Sequence, residues 1–131
     1  MASILIIDDE STIRDLFGYI FEDAGHTVAL ANNGREALEA LRSSVPDFII
    51  LDVSMPEMSG PEFALELKRM ALHDKRYAGI RFVVMTGENF MDSGLNSVFA
   101  STPGFVCFFP KMIPPEKVLA KAEEVLNSCQ D

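Results

Sequence analysis

The sequence predicts an α/β fold, a doubly wound parallel sheet of five strands with five helices on its two faces. The main observation is that short apolar runs and helical patterns alternate five times along the chain, which is typical of parallel strands joined by right-handed crossovers. The second is size, because 131 residues with 48% hydrophobic content suffice for one buried core. No linker or repeat interrupts the pattern, so we expect residues 1–131 to form a single domain.

The strands are predicted from apolar runs bounded by turn-forming residues. The predicted strands are Ile4–Ile7, Thr27–Ala31, Phe48–Leu51, Ile80–Met85 and Phe105–Phe109. The third run consists of four consecutive apolar residues, and such a run is typical of a central strand that is buried on both faces. This strand delivers Asp52 to its C-terminal end.

The helices are predicted from capping residues and prolines that precede an apolar stripe of helical spacing. Predicted starts are Ser11, Asn33, the capping box from Ser59 to Glu62, the stretch around Asn89 and Asp92, and Pro114-Pro115. The first helix ends at Gly25, the second near Ser43 and the third near His73. From His73 to Gly79 we expect a polar connection.

Polar residues follow four of the predicted strands at the point where each strand ends. They are Asp8 and Asp9 after the first, Asp52 after the third, Thr86 after the fourth and Lys111 after the fifth. In the flavodoxin-like strand order 2-1-3-4-5, the first and third strands are neighbours at the switch point, where open α/β sheets bind their ligands. We therefore expect Asp8, Asp9 and Asp52 to meet at one edge of the sheet.

Three carboxylates at one edge repel each other, and a pair about 4 Å apart costs roughly 4 kcal/mol at an effective dielectric constant near 20. Either protons or a hard divalent cation must offset this repulsion. An incomplete set of carboxylates with room for waters favours Mg²⁺ over Ca²⁺. A carboxylate beside bound Mg²⁺ can attack phosphorus, while Lys111 and Thr86 would bind the transferred phosphoryl group.

The charge of the chain restricts its partners. With 20 acidic and 11 basic residues the net charge is -9, which opposes binding to nucleic acid or to an anionic membrane and favours a protein or a small phosphodonor. No apolar run approaches the ~20 residues of a membrane span. The start of the chain leads directly into a strand, so we expect a cytoplasmic protein. Cys107 and Cys129 lack metal-ligand spacing and are expected to be reduced thiols.

These motifs resemble those of a receiver domain of a two-component response regulator, of the stand-alone chemotaxis type. The motifs are Ile-Ile-Asp-Asp at 6–9, Leu-Asp-x-x-Met-Pro at 51–56 followed by Gly60, and Val-Met-Thr-Gly at 84–87. The resemblance spans essentially all 131 residues. It implies that Asp52 is the phospho-acceptor. It also implies that Mg²⁺ is held by Asp8, Asp9, Asp52 and the backbone carbonyl of Ser54.

The resemblance implies further roles and partners. Thr86 and the aromatic residue three positions before the lysine, Phe108, would form a switch pair. Ser54 and Glu88, two residues past Asp52 and Thr86, would lie beside the attacking water and tune dephosphorylation. A sensor histidine kinase or a phosphotransfer protein would supply the phosphate, and the switched surface would bind a downstream protein target.

The lysine is where the chain departs from the family pattern. In the family the lysine is followed by proline, usually through a cis peptide, whereas this chain has Pro110-Lys111-Met112. If Pro110 holds the proline position of the family, Phe109 takes the place of the lysine and Val106 that of the switch aromatic. A slip of one residue turns a strand side chain to the opposite face, so the two alignments predict different sites.

Three functions remain open on the sequence. The first is a signalling module that catalyses only its own phosphorylation and dephosphorylation and is otherwise not an enzyme. The second is an aspartate-nucleophile phosphohydrolase, which would want an acid where Ser54 stands and an inserted cap to shape a substrate pocket. The third is a degenerate receiver that is never phosphorylated and serves as a docking scaffold, which a displaced Lys111 would favour.

Overall fold

The observed sheet has five parallel strands in the order β2-β1-β3-β4-β5, as the sequence predicts. The computed structural model describes residues 2–53, 58–86 and 93–128. The strands are β1 Ser3–Ile7, β2 Thr27–Ala31, β3 Phe48–Asp52, β4 Arg81–Thr86 and β5 Phe105–Pro110. The helices within these ranges are α1 Ser11–Asp23, α2 Gly34–Ser43, α3 Gly60–His73, α4 Lys75–Ala78, α5 Ser93–Ala100 and α6 Pro115–Ser128. The flavodoxin-like fold class is therefore confirmed.

Two apolar layers lie on the two faces of the sheet. One layer contains side chains of α2, α3, α4 and α5, and the other contains side chains of α1 and α6. All five residues of β3 are buried, because this strand is central and covered on both sides. None of the helices in the described ranges is long and apolar enough to cross a membrane.

The starts of α2, α3 and α6 follow the predicted capping residues and prolines, and the start of α1 does not. The start predicted around Asn89 and Asp92 falls on residues outside the described ranges. The Asn33 side chain accepts a hydrogen bond from the backbone N–H of Glu36, and Ser59 and Glu62 form a complete capping box. The expectation that Ser11 caps α1 is wrong. Glu10 occupies the N-cap position and Ser11 is the first helical residue, and the Glu10 side chain makes no capping hydrogen bond.

One short helix was not expected. The polar connection predicted after α3 contains α4, so the structure has six helices within the described ranges rather than five. Asp74 starts this helix by accepting a hydrogen bond from the backbone N–H of Arg76 at 3.0 Å. Its single turn buries Tyr77, whose hydroxyl donates to the carbonyl of Leu41 in α2. Tyr77 thereby joins the apolar layer that contains side chains of α2 and α3.

Candidate functional site

Asp52 ends the central strand and is only 1% exposed. Gly60 lies close to the end of this strand, because its N–H donates to the carbonyl of Val53 at 2.8 Å. A Cβ atom on Gly60 would lie 2.5 Å from the Asp52 carbonyl oxygen. The absence of a side chain at Gly60 therefore lets α3 begin directly beside the end of β3.

The acids after β1 lie at the same edge, since β1 pairs with β3. Carboxylate oxygens of Asp8, Asp9 and Glu10 come within 4.8 Å of one another. Asp8 is 2% exposed, and its Oδ1 accepts a hydrogen bond from the Glu10 N–H at 2.9 Å. The Arg14 guanidinium donates to the carbonyl of Asp8 at 2.6 Å and so anchors the start of α1 to the end of β1.

Lys111 joins the two groups of acids. Its Nζ lies 3.1 Å from Asp52 Oδ1 and 3.8 Å from Asp8 Oδ2. The backbone N–H of Lys111 donates to the carbonyl of Thr86 at 2.9 Å, so the end of β4 holds the main chain of the lysine. The structure thus brings Asp8, Asp52 and Lys111 together.

An irregularity in β5 explains how Lys111 reaches the site. Phe105 pairs with Phe82 of β4, but Cys107 pairs with the next residue, Val83, so an extra residue is present between the two pairs. Such a bulge changes which face the following side chains occupy. Phe109 packs with the layer of α1 and α6. It does not replace the lysine, so the alternative alignment is not the one observed.

The cluster perturbs the titration of its members. Burial raises the pKa of Asp8, although the Glu10 N–H and the Lys111 ammonium partly offset this. Burial lowers the pKa of Lys111, but the carboxylates of Asp52 and Asp8 outweigh it and leave that pKa above its ordinary value. Lys111 is therefore a permanent cation at neutral pH.

Thr86 and Phe108 lie on the side of the site formed by β4 and β5. Thr86 is 3% exposed and follows Met85, the residue that pairs with Asp52. The Phe108 ring contacts those of Phe99 and Phe105, at centroid separations of 5.7 and 5.0 Å. Phe108 pairs with Val84, two residues before Thr86, and the switch pair stays a prediction.

Sequence reasoning missed one residue of the site and made assignments outside the described ranges. Glu10 Oε1 lies 3.3 Å from Lys111 Nζ, a contact that no sequence motif predicted. Its place beside two other acids was a signal, but the contact with a residue 101 positions away was not readable from the sequence. The predicted roles of Ser54 and Glu88 fall on residues outside the described ranges.

The fold and the site define a class of protein, a flavodoxin-like domain with an acidic cluster and a lysine at the carboxyl edge of its sheet. The family model described as "Response regulator receiver domain" matches residues 4–123. The chain therefore belongs to the response regulator receiver family.

Individual relatives agree with this family. The chain is 31% identical over 126 residues to the response regulator SaeR of Staphylococcus epidermidis, a match that covers 96% of this chain and 51% of the relative. It thus spans about half the length of the curated relatives it matches. Among solved structures, the chemotaxis protein CheY4 of Vibrio cholerae has a TM-score of 0.81 at 30% identity, covering 95% of this chain and 98% of that protein. A signal receiver domain of a histidine kinase from Syntrophus aciditrophicus has a TM-score of 0.81 at 25% identity, covering 99% and 93%.

Proposed function

We propose that this receiver accepts a phosphoryl group on Asp52 in a reaction that depends on Mg²⁺. The donor is a sensor histidine kinase or a phosphotransfer protein in the cytoplasm. Phosphorylation shifts the population of a surface that binds a downstream protein target, with a coupling free energy typically ~1–3 kcal/mol. Beyond its own phosphorylation and dephosphorylation, we propose no enzymatic turnover.

The observation that carries this proposal is the ion pair between a buried carboxylate and an ammonium at the end of the central strand. Lys111 Nζ lies 3.1 Å from Asp52 Oδ1, and the same ammonium lies 3.8 Å from Asp8 Oδ2. A buried carboxylate in a fixed position is a pre-oriented nucleophile. The Lys111 ammonium is placed to neutralise the charge that a phosphoryl group brings.

The donor set also fits Mg²⁺. Asp8, Asp9 and Glu10 offer hard carboxylate oxygens within 4.8 Å of one another, and the Lys111 ammonium contacts both Asp8 and Asp52. Oxygen ligands of this kind are the ones that Mg²⁺ prefers. Asp8, Asp9 and Asp52 would hold the ion, which when bound would neutralise phosphoryl oxygens during transfer.

Incubation with acetyl phosphate and Mg²⁺, followed by intact mass measurement, tests the proposal. We expect one phosphoryl adduct on the wild-type chain and none on Asp52→Asn, a nearly isosteric change that removes the nucleophile. An Asp15→Asn variant, altered at an exposed acid of α1, serves as the matched control and should form the adduct. An adduct that survives in Asp52→Asn would overturn the assignment of the acceptor.

Assays of phosphomonoester hydrolysis and of Mg²⁺ binding address the other two functions. Steady turnover of phosphomonoesters would indicate a phosphohydrolase. Absence of both an adduct and Mg²⁺ binding would indicate a docking scaffold. The argument for that scaffold was a displaced lysine, and the contact between Lys111 and Asp52 removes this support.

A further inference from the structure

Three carboxylates of very different exposure share the Lys111 ammonium. Its Nζ lies 3.1 Å from Asp52, 3.3 Å from Glu10 and 3.8 Å from Asp8. The Asp52 and Asp8 side chains are 2% and 3% exposed, whereas that of Glu10 is 57% exposed. Glu10 is thus the exposed partner of the ammonium, at the rim of the site, and the two aspartates are its buried partners.

Helix formation does not explain the Glu10 side chain. Glu10 is the N-cap residue of α1, yet its carboxylate makes no capping hydrogen bond. Within the described ranges, that carboxylate accepts a hydrogen bond from the Lys111 ammonium. The pairing therefore concerns the site rather than the helix.

An ammonium that pairs fully with Asp52 would hinder the proposed reaction. In phosphoryl acceptance an Asp52 oxygen forms a bond to phosphorus while the bond from phosphorus to the donor oxygen breaks, and with acetyl phosphate the leaving group is acetate. A tight ion pair stabilises the carboxylate before attack and competes with the cation that the acids would hold. An acceptor for the ammonium at the rim weakens this hold.

We infer that Glu10 is a positioning residue, which draws the Lys111 ammonium toward the rim and keeps the Asp52 carboxylate available for phosphoryl acceptance. The inference rests on the proposed function of Asp52. The Lys111 side chain is thereby placed by an ion pair with the N-cap residue of α1.

The first test is the rate of adduct formation from acetyl phosphate and Mg²⁺ in Glu10→Gln. This change removes the charge and keeps the side-chain size. An exposed ion pair contributes about 0.2–1 kcal/mol, so we expect the rate to fall about 1.4- to five-fold. Glu22→Gln is the matched control, since it makes the same change of charge at an exposed position in the last turns of α1. It should react at the wild-type rate.

A double-mutant cycle with Lys111→Met decides whether Glu10 acts through the lysine. If it does, Glu10→Gln has no further effect once the lysine is gone. An effect of equal size in both backgrounds would mean that Glu10 acts directly, as a metal ligand or through its charge, and would overturn the inference. Where the lysine variant forms too little adduct to time, Mg²⁺ affinity by calorimetry replaces the rate in the same cycle.

A spectroscopic measurement without Mg²⁺ or phosphodonor separates this inference from the proposed function. The side-chain ammonium resonance of Lys111 is identified by its loss in Lys111→Met. We expect Glu10→Gln to shift this resonance or speed its proton exchange, and Glu22→Gln to leave it unchanged. An unchanged resonance in Glu10→Gln would refute the positioning role even if Asp52 is phosphorylated. Absence of an adduct in the wild-type chain would refute the proposed function instead.

Discussion

At the scale of single residues, the site combines groups that the chain would not tolerate separately. Asp8 and Asp52 are almost fully buried, and burial of an isolated carboxylate is expensive. The Lys111 ammonium contacts both carboxylates and offsets part of that cost. Burial nevertheless leaves the pKa of Asp8 above its ordinary value. The ionised form of Asp8 therefore lowers the stability of the folded chain.

Asp8→Asn should make the metal-free protein more stable at neutral pH. Burial raises the pKa of Asp8 in the folded protein above its value in the unfolded chain. At pH values above the folded-state pKa, the ionised carboxylate therefore lowers the free energy of unfolding by its full amount. That penalty disappears as pH falls below the unfolded value. Asn keeps the oxygen that accepts from the Glu10 N–H and removes the charge.

Urea denaturation in EDTA checks this prediction in a series from pH 7 down to about pH 4, which is close to the unperturbed pKa of Asp. The stability advantage of Asp8→Asn over wild type should shrink as the pH falls. An advantage that is constant with pH, or a variant less stable at pH 7, would contradict the raised pKa.

Phe108 must be able to move if it is a switch residue, and its position can be tested by adding a hydroxyl. Phe99 is 0% exposed, so Phe99→Tyr buries a hydroxyl in an apolar cluster and should cost about 1–3 kcal/mol of unfolding free energy. Phe108 is only partly buried, so Phe108→Tyr should stay within about 0.5 kcal/mol of wild type. Urea denaturation compares the two variants. An equal loss in both would place the Phe108 ring inside a sealed core and argue against the switch.

At the scale of helices and strands, glycines show which element contacts are tight. A Cβ on Gly18, within α1, would meet its nearest side-chain atoms at 3.7 and 3.8 Å, which is ordinary contact. A Cβ on Gly60, at the start of α3, would meet backbone atoms of Asp52 and Val53 at 2.5 and 2.9 Å. Only the second junction depends on the missing side chain.

The same substitution should therefore have opposite effects at these two positions. Gly18→Ala should stabilise the protein by about 0.5–1 kcal/mol, because alanine is the better helix former. Gly60→Ala should destabilise it by about 1–3 kcal/mol, because the backbone of β3 must shift. Chemical denaturation measures both. Destabilisation by Gly18→Ala would show that α1 packs more closely on β2 than the structure indicates.

The sequence predicted the elements with strong periodicity and failed where a few residues decide. The strands and the five longer helices follow from apolar spacing, whereas α4 has only one turn, too short for a helical period to be read. The bulge in β5 has no signature in an almost uniformly apolar run. Alternation along the strand therefore could not predict whether the side chain of Lys111 or of Phe109 faces the site. The pairing of β5 with β4 determines which of them does.

At the scale of the whole molecule, the site exists only in the folded chain. Asp9 and Asp52 are more than forty residues apart in the sequence, and pairing of β1 with β3 brings their strands together. Lys111 directly follows β5, which is an edge strand of the sheet. The acids and the lysine were predictable as types and positions at strand ends, because parallel strands share one carboxyl edge. The contact of Glu10 with Lys111 was not, because it depends on side-chain placement across two loops.

Binding of Mg²⁺ should consequently stabilise the fold. A cation that binds the folded and not the unfolded chain adds RT ln(1 + [Mg²⁺]/Kd), which is about 1.4 kcal/mol when free Mg²⁺ is ten times Kd. Urea denaturation at increasing MgCl₂ measures this gain.

The net charge of -9 means that salt alone also relieves repulsion, so NaCl of equal ionic strength is the control. The gain over NaCl should be largely lost in Asp52→Asn and Asp9→Asn and kept in Glu22→Gln. An equal gain from NaCl, or a full gain in Asp52→Asn, would show that the cation acts on the surface charge and not at the acidic cluster.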